Sequence, residues 1–507
     1  MNKPVFVVSG SVEWSSNYFC QAAITRRFKF NRASNRNPFQ KKIEMSKKYK
    51  QDGMKKEIDT QRCDRRDLLK RGMVAGLATV SGGLGAPGYA AEPQGAPALT
   101  TKSKPLDMVR VGYVGVGHQG SGHVQNLLRI EGVQIKALCD IVEAKVTRAQ
   151  EWVQEAGQPK PVAYCHGETD FERMCDEEDL DLVYTATPWE WHTPVCMAAM
   201  ETGKHAATEI PAAVTLDECW QLVEIAERTG LHCVQMENCC YGRSEMMVLN
   251  MVRQGFFGEL LHAECGYLHF FVNEFFDGRH EGFWRRAHNV RRNGDLYPTH
   301  GLGPVAQYMD INRGDQFDYL VSMSSNARGF HLGAVEARGP DSPEAQLQFS
   351  KGDVVSSLIR TKNGRTIVLQ HNVSTPRPYN RVNLIQGTNG IFRGYPDMIF
   401  IKGKTEGHEY ESASKYQAEY EHPLWKNLGS QASIGGHEGM DYMEDYRLIT
   451  ALRRGTATDM DVYDAAALSS VSELSERSVA DRSRPQDFPD FTRGKWKTNP
   501  PLEIVEG

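Results

Sequence analysis

The chain has 507 residues, 40% of them hydrophobic and 24% charged, and a formal net charge of −5 at pH 7. That length predicts two domains with appendages, each with enough apolar residues for an ordinary core. Residues 1–91 hold 18 Lys+Arg against 7 Asp+Glu, a net of +11, so residues 92–507 carry −16; a nucleic-acid binder would have the opposite sign on its body, and nucleic acid is excluded as a partner.

Residues 1–62 are polar, basic and without periodicity, and are expected to be a disordered or misassigned extension. Asp64-Arg65-Arg66-Asp67-Leu68-Leu69-Lys70 follows, then a Gly/Ala-rich run from Gly72 to Leu84 and Gly88-Tyr89-Ala90-Ala91. Residues 63–91 thus resemble a twin-arginine export signal, cleaved near Ala90 or Ala91. Export signals lie at the N-terminus, so Met45 or Met54 is the expected true start. The apolar run is too short and too Gly-rich to span a bilayer, so no stable membrane insertion is expected. The expected location is periplasmic or extracellular, and export in the folded state suits an enzyme that takes up its nucleotide in the cytoplasm. Nine of the eleven cysteines follow this leader, with no CxxC and no Cys/His ligand spacing; the adjacent pair Cys239-Cys240 reads as packing, and neither a disulfide framework nor a metal site is expected.

The first folded element is the apolar run Met108 to Val114, which enters Gly115-Val116-Gly117-His118-Gln119-Gly120, an amphipathic helix, and a second apolar run from Val133 to Cys139 that ends at Asp140. This is a βαβ dinucleotide-binding unit. Gly115 permits the tight turn, Gly117 lets backbone approach a pyrophosphate, and Gly120 lets helix and strand pack closely. Phosphates would sit on the free N–H groups at the helix start. Asp140 stands where a carboxylate accepts both ribose hydroxyls of NAD and repels the 2′-phosphate of NADP, so NAD is the expected cofactor. A glycine fingerprint alone is weak evidence; the strand, helix, strand and acid around it make it strong.

Strands and helices continue to alternate: a helix from Glu143 to Ala156, strand Pro161 to Cys165, helix Phe171 to Asp176, strand Asp181 to Pro188, a helix from Thr193, strand Lys204 to Glu209, helix Leu216 to Thr229 and strand Leu231 to Met236. The predicted fold is an α/β doubly wound parallel sheet over 106–238. Ligands in such sheets lie beyond the carboxyl ends of the strands. The segments arriving there are the glycine turn, Pro188-Trp189-Glu190-Trp191-His192, Glu209-Ile210-Pro211 and Glu237-Asn238. Trp189 and Trp191 could be core aromatics, but in a loop directly after a strand they more often wall a pocket.

From Gly258 the pattern changes to alternating runs, Glu259 to Phe271, Phe317 to Met323, Ala345 to Phe349, Val354 to Thr361, Thr366 to Asn372 and Val382 to Gly387. These predict an α+β domain over 239–482 with an open, mostly antiparallel sheet. Helices at Gly436 to Arg454 and Asp461 to Ala480 close back toward the first domain, and 483–507 is a C-terminal tail. Inside this domain Phe283-Trp284-Arg285-Arg286 precedes Asn293-Gly294-Asp295-Leu296-Tyr297-Pro298-Thr299-His300-Gly301. Pro298 and Gly301 are expected to fix a turn before a helix over Pro304 to Met309, which lets Tyr297 and His300 face one cavity.

The glycine unit, the Ala186-Thr187-Pro188 loop ending in His192, and GKHAATE followed by Ile210-Pro211 resemble the Gfo/Idh/MocA oxidoreductases. Within that group WEWHTPVCMAAMETGKHAATEIPAA, QMENCCYGRSEMMVLNMVRQGFFGEL and NGDLYPTHGLGPVAQYMDINRGD are similar to glycoside hydrolase family 109. The resemblance runs from about Met108 to about Asp481. It implies an NAD-dependent α-N-acetylgalactosaminidase acting on α-linked N-acetylgalactosamine in glycans, and a homodimer through the second sheet. It also implies cofactor contacts at Gly115, Gly117, His118, Gln119, Gly120, Asp140, Trp189, Glu190, Trp191, His192, Glu209, Ile210, Asn238 and Tyr297. Sugar contacts are implied at Tyr267, Arg285, Tyr297, Pro298, Thr299, His300 and Tyr379; from the residues alone, Tyr267 could equally be a strand-face tyrosine and Arg285 a surface cation. The parent dehydrogenases usually carry Glu-Lys-Pro where this chain has Glu209-Ile210-Pro211, so the lysine that assists hydride transfer is missing.

The implied mechanism departs from two-carboxylate hydrolysis: oxidation at sugar C3, loss of the acidified C2 proton, elimination of the C1 substituent, water addition, and reduction. His300 and Tyr297 are the acid/base candidates. A sugar dehydrogenase releasing NADH and a non-catalytic sugar-binding protein are the alternatives; Gly115, Gly117, Gly120, Asp140, Tyr297 and His300 together speak against an idle site. If Arg65 and Arg66 direct export, Arg65→Lys with Arg66→Lys leaves the protein in the cytoplasm with its leader uncut, as cell fractionation and the mass of the product will show; unchanged export removes the signal.

Overall fold

The computed structural model describes residues 103–277 and 282–506; the expected export signal and the extension before it lie outside them. Six strands, β1 Val109–Val114, β2 Val133–Cys139, β3 Val162–Tyr164, β4 Leu182–Thr185, β5 His205–Thr208 and β6 Cys233–Gln235, form a parallel sheet in the order β3-β2-β1-β4-β5-β6. Every residue of β4 is buried, as a strand covered on both faces by helices requires. The order reverses between β1 and β4, both parallel to each other. The crevice beyond their carboxyl ends is where such sheets bind ligands.

The glycine fingerprint works by close approach. Gly115 has φ +87°, and a Cβ there would lie 2.7 Å from the Ala186 carbonyl oxygen. In the helix His118–Leu127 a Cβ on Gly120 would collide with the Gly115 carbonyl and come 3.0 Å from Tyr113. One on Gly117 would meet nothing nearer than Lys145 Nζ, at 3.8 Å, which leaves backbone open to the crevice.

The second sheet has nine strands, β7 Leu260–Leu268, β8 Phe317–Ser324, β9 Val355–Thr361, β10 Thr366–Asn372, β11 Leu384–Gly387, β12 Gly390–Arg393, β13 Met398–Ile401, β14 Glu411–Ser412 and β15 Gln486–Asp487, in the order β14-β13-β12-β11-β7-β10-β9-β8-β15. Only the central pair β7/β10 is parallel; the others are antiparallel. In β9 Val355, Ser357, Ile359 and Thr361 point inward and Leu358 and Arg360 outward, the period-two pattern of a sheet with one open face. Asn363-Gly364, with Gly364 at φ +87°, turns β9 into β10, as that dipeptide favours.

Several expectations are corrected. Ala345 to Phe349 is not a strand but turn and irregular chain. Prolines 340 and 343 flank it, and its alternation buries Ala345 and lays Phe349 on Phe330 with ring centroids 4.8 Å apart without pairing to a neighbour. The short strands β12 to β14, which follow Gly387, carried no clear signal. The helix expected over Pro304 to Met309 begins five residues earlier, as Thr299–Tyr308 with Pro304 inside it. Gly301 is not a turn residue: a Cβ there would collide with backbone of Gly266 in β7, so the glycine lets the helix lie directly on the sheet. Residues 483–506 are no loose tail. Strand β15 pairs with β8, Phe488 and Phe491 enter the core, and Arg493 binds Glu227 at 3.2 Å. The closing helices, Met440–Arg454 and Val462–Ala480, do return to the first sheet.

Two glycines of one helix provide a paired test. Gly120→Ala places its methyl against Gly115 and is expected to lower stability by about 2–3 kcal/mol, the scale of overpacking without room to relax. Gly122→Ala, with nothing within 4 Å, is expected to raise it by roughly 0.5–1 kcal/mol through helix propensity. Denaturant melts of both variants check the opposite signs.

Candidate active site

Two adjoining cavities open beyond the carboxyl ends of β1, β4 and β5. The first, about 370 Å³, runs from Asp140 and Ile141 past Gly115 and Gly117 to His118 and Gln119. The second, about 420 Å³, begins at the same His118 and Gln119 and continues to Glu209, Ile210, Tyr297 and His300. Ala186, Thr187 and Trp284 also border both.

The first cavity fits a dinucleotide. Its glycine backbone is open to the groove, and Asp140, which follows β2, is fixed at the edge where its Oδ1 accepts the Val142 N–H at 2.9 Å. Glu190 and Trp191 form the opposite wall. His288 Nε2 lies 3.3 Å from Glu190 and holds that carboxyl below its ordinary value; Trp191 sits edge-on to Phe171.

The second cavity is built around Tyr297. Tyr297 stacks on Trp189 at 5.5 Å and packs against Tyr267 at 4.8 Å and His300 at 4.9 Å. The Arg285 guanidinium lies over the Tyr297 ring at 4.6 Å, near Trp189 and Trp284, and donates to the Tyr297 hydroxyl at 3.3 Å. His300 sits in the first turn of its helix. Its Nδ1 is 2.7 Å from Glu237 Oε1, and the Glu237 carboxylate is wholly buried just after β6. Burial opposes the charge of Glu237, but His300, the Thr299 hydroxyl and the Cys239 N–H outweigh it and hold the carboxyl below its ordinary value. An ionised Glu237 accepts the proton of Nδ1, which in a neutral imidazole leaves the lone pair on Nε2.

Of the residues the sequence singled out, His118, Gln119, Trp189, His192, Glu209, Ile210, Asn238, Tyr267, Arg285, Tyr297, His300 and Tyr379 all line the second cavity. Pro298 and Thr299 do not: both are buried at the start of the helix, Thr299 completely. Ile210, only 2% exposed, packs with Trp189, Tyr267 and Tyr297; an aliphatic side chain there moves no proton. His192 is locked between the carbonyls of Pro211 and Thr187 at 2.7 and 2.8 Å, a structural tie at the cavity wall. Sequence reasoning missed Trp284, His437 and Met440 as lining residues, and Glu237 as the partner of His300. Position just after a strand could have found Glu237; nothing local marks His437 and Met440, which arrive on the closing helices. Glu237, Cys239 and His300 bring three ligand-type atoms within 4.8 Å of one another, but the Cys239 thiol faces Arg381 at 2.8 Å and burial raises it well above its ordinary value, which suits packing and not metal ligation. Among the described residues no helix is long and apolar enough to cross a membrane.

The comparisons agree with this geometry. A family profile described as an oxidoreductase family with an NAD-binding Rossmann fold matches residues 109–237, and one described as the C-terminal domain of glycosyl hydrolase 109 matches residues 241–498. A glycosyl hydrolase family 109 protein of Solibacter usitatus is 50% identical over 447 residues, 86% of this chain and 99% of that one. A protein of Shewanella oneidensis named alpha-N-acetylgalactosaminidase is 46% identical, over 87% of this chain and 98% of its own. The fold is similar to that of an NAD binding oxidoreductase from Klebsiella pneumoniae, with a TM-score of 0.61 at 15% identity, over 76% of this chain and 100% of that one.

Asp140 is expected to set nucleotide choice. Asp140→Ala should weaken NAD binding by about tenfold or more, the scale of a lost charge-assisted hydrogen bond, and relax discrimination against NADP. Titration of nucleotide-stripped protein measures both; equal affinity of the unaltered protein for NAD and NADP would contradict the assignment. With NAD's place in the groove and the hydrolase profile across the second domain, the chain belongs to glycosyl hydrolase family 109.

Proposed function

We propose that the protein is a glycosidase that removes terminal α-linked N-acetylgalactosamine from glycans, with NAD retained as a catalyst and not consumed. The observation that carries this reading is that two proton-transfer pairs, Tyr297 with Arg285 and His300 with Glu237, share one cavity with the far end of the dinucleotide groove. The relative named alpha-N-acetylgalactosaminidase supplies the sugar.

Bound NAD supplies the hydride chemistry at sugar carbon 3, taken up at the start of the turnover and returned at its end. The chain's own groups handle the protons. Tyr297, its hydroxyl beside the Arg285 guanidinium, and His300, its ring oriented by Glu237, take and return the protons of the carbon 3 hydroxyl and of carbon 2. With carbon 3 as a ketone the carbon 2 proton is acidic; its removal expels the substituent at carbon 1, and water then adds across the double bond, its oxygen at carbon 1 and a proton at carbon 2, before carbon 3 is reduced. The aromatic wall of Trp189, Tyr267 and Tyr297 presents flat apolar faces to the sugar. Of the carboxylates about the cavity, Glu237 is engaged by His300 and Glu209 by His123, and Glu274 also lines it. Passage through the twin-arginine route, supported by Arg65 and Arg66 in the sequence, would deliver the enzyme folded with its nucleotide.

Incubation with p-nitrophenyl α-N-acetylgalactosaminide, read for aryl release and for NADH absorbance together, tests this. The expected result is aryl release without accumulation of NADH, lost on stripping the nucleotide and restored by NAD. His300→Ala and Tyr297→Phe should each lower turnover by about 10²-fold or more while nucleotide stays bound. Stoichiometric NADH without aryl release would establish a dehydrogenase instead.

A further inference from the structure

Behind the cavity, the helix His118–Leu127 meets the closing helix Met440–Arg454, and their contact buries a group of carboxylates around one imidazole. His123 is fully buried. Its Nδ1 lies 3.0 and 2.9 Å from the two oxygens of Asp445, and its Nε2 lies 2.9 Å from Glu209 Oε1 and 3.9 Å from Glu444 Oε1. Asp445 also accepts from Asn126 at 3.0 Å and from the Tyr184 hydroxyl at 3.2 Å. Asp441 accepts from Asn238 at 2.7 Å and Gln119 at 3.2 Å and faces His437 Nδ1 at 2.8 Å. Glu444, 1% exposed, has no hydrogen bond to either carboxylate oxygen among the described residues. Of these four acids only Glu209 lines the cavity, and its Oε2 accepts the Ile210 N–H at 3.1 Å.

A carboxylate oxygen 2.9 Å from each ring nitrogen of His123 is placed to accept a proton from it, while the Gln119 amide nitrogen also approaches Nε2 at 3.2 Å. Burial opposes a charge on the ring, but Asp445 and Glu209 outweigh it and His123 titrates well above its ordinary value. Burial also lifts the carboxyl of Glu444 well above the usual range; His123 opposes this, and Glu209, Asp441 and Asp445 add to it. Asp441 and His437 cancel, burial being outweighed as the pair draws Asp441 down to about 2. Burial raises the Asp445 carboxyl, yet both its oxygens accept hydrogen bonds; Glu209, whose Oε1 faces His123 and whose Oε2 accepts the Ile210 N–H, is the acid of this group that faces the cavity.

We propose that His123, clamped by Asp445, is a positioning residue that holds the Glu209 side chain where the dinucleotide groove ends, and that this acid favours the oxidised, cationic nicotinamide over the neutral reduced one. The groove's direction supports this, since Asp140 marks the ribose end and Glu209 lies past His118 and Gln119 at the other. The proposal rests on NAD staying bound through turnover, for which a resting preference for the oxidised form is the useful bias.

The test is titration of nucleotide-stripped protein with NAD⁺ and, separately, with NADH, without sugar. Glu209→Gln is expected to raise the Kd for NAD⁺ relative to that for NADH by about tenfold, the scale of one charge interaction in a partly buried site. His123→Gln is expected to shift the ratio the same way, because it removes the ring that holds Glu209 Oε1 at 2.9 Å. Glu209→Asp, which keeps the charge, is expected to keep the ratio and shows whether a folding defect in Glu209→Gln is to blame for any change. A purely structural Glu209 would weaken both nucleotides alike, and an unchanged ratio in Glu209→Gln overturns the proposal. Since no sugar is present, a failure of the glycosidase reading would leave this ratio untouched, and the two can be told apart.

Discussion

The contact on which the site depends is the packing of the first helix after the glycine turn against a helix more than 300 residues later, across a charged core. Burying ionised groups is costly unless each is paired and hydrogen-bonded. Here the imidazole of His123 sits between Asp445 and Glu209, with Asn126, Tyr184 and Gln119 completing the network. Removing one partner leaves another uncompensated, which makes the arrangement an all-or-none latch between the nucleotide-binding half and the closing helices. Because Glu209, Asn238 and His437 belong to this latch and also line the cavity, the floor of the site cannot drift without breaking it.

The opposite wall is held by aromatic packing. Trp189, from the loop after β4, stacks on Tyr297, from the loop before the helix Thr299–Tyr308, and Arg285 fills the space between them. The helix is brought onto β7 by the Gly301–Gly266 approach, and that approach sets His300 within 5.4 Å of Tyr267, ring to ring. Acid/base groups therefore come from one half of the chain and the cofactor groove from the other, joined along an edge that includes His118 and Gln119. Ile210 seals the place where a lysine would otherwise reach, so proton traffic is left to Tyr297 and His300.

Much of the first sheet was legible because its signals are local: alternating strands and helices, three glycines with separate steric duties, and an acid directly after β2. The cofactor groove followed from these alone. Tyr297 and His300 were legible as a pair, although for an incomplete reason. Their spacing was read as a loop before Pro304, whereas the helix begins at Thr299, where Gly301 and Gly303 let it pack closely on Gly266 and Glu237, and it carries Pro304 at the cost of one backbone bond and a clash with the preceding turn. Ala345 to Phe349 misled because alternation also serves a segment that buries two side chains without pairing. The pairing of Glu237 with His300, and the His123 network, depend on long-range packing: nothing local in the chain brings residues 123 and 209 to the helix face that carries 441, 444 and 445.

The central claim is that sugar carbon 2 loses its proton during glycoside cleavage, to a base lining a cavity that water can enter; the side chain of His300 is 15% exposed. The direct measurement is cleavage of unlabelled substrate in D₂O, with the released N-acetylgalactosamine analysed by NMR and mass spectrometry for deuterium at carbon 2. The account predicts deuterium there, in product formed without net NADH. Released sugar that retains only protium at carbon 2, from an enzyme that also cleaves carbon-2-deuterated substrate at the unlabelled rate, would contradict it and return the reaction to direct displacement at carbon 1.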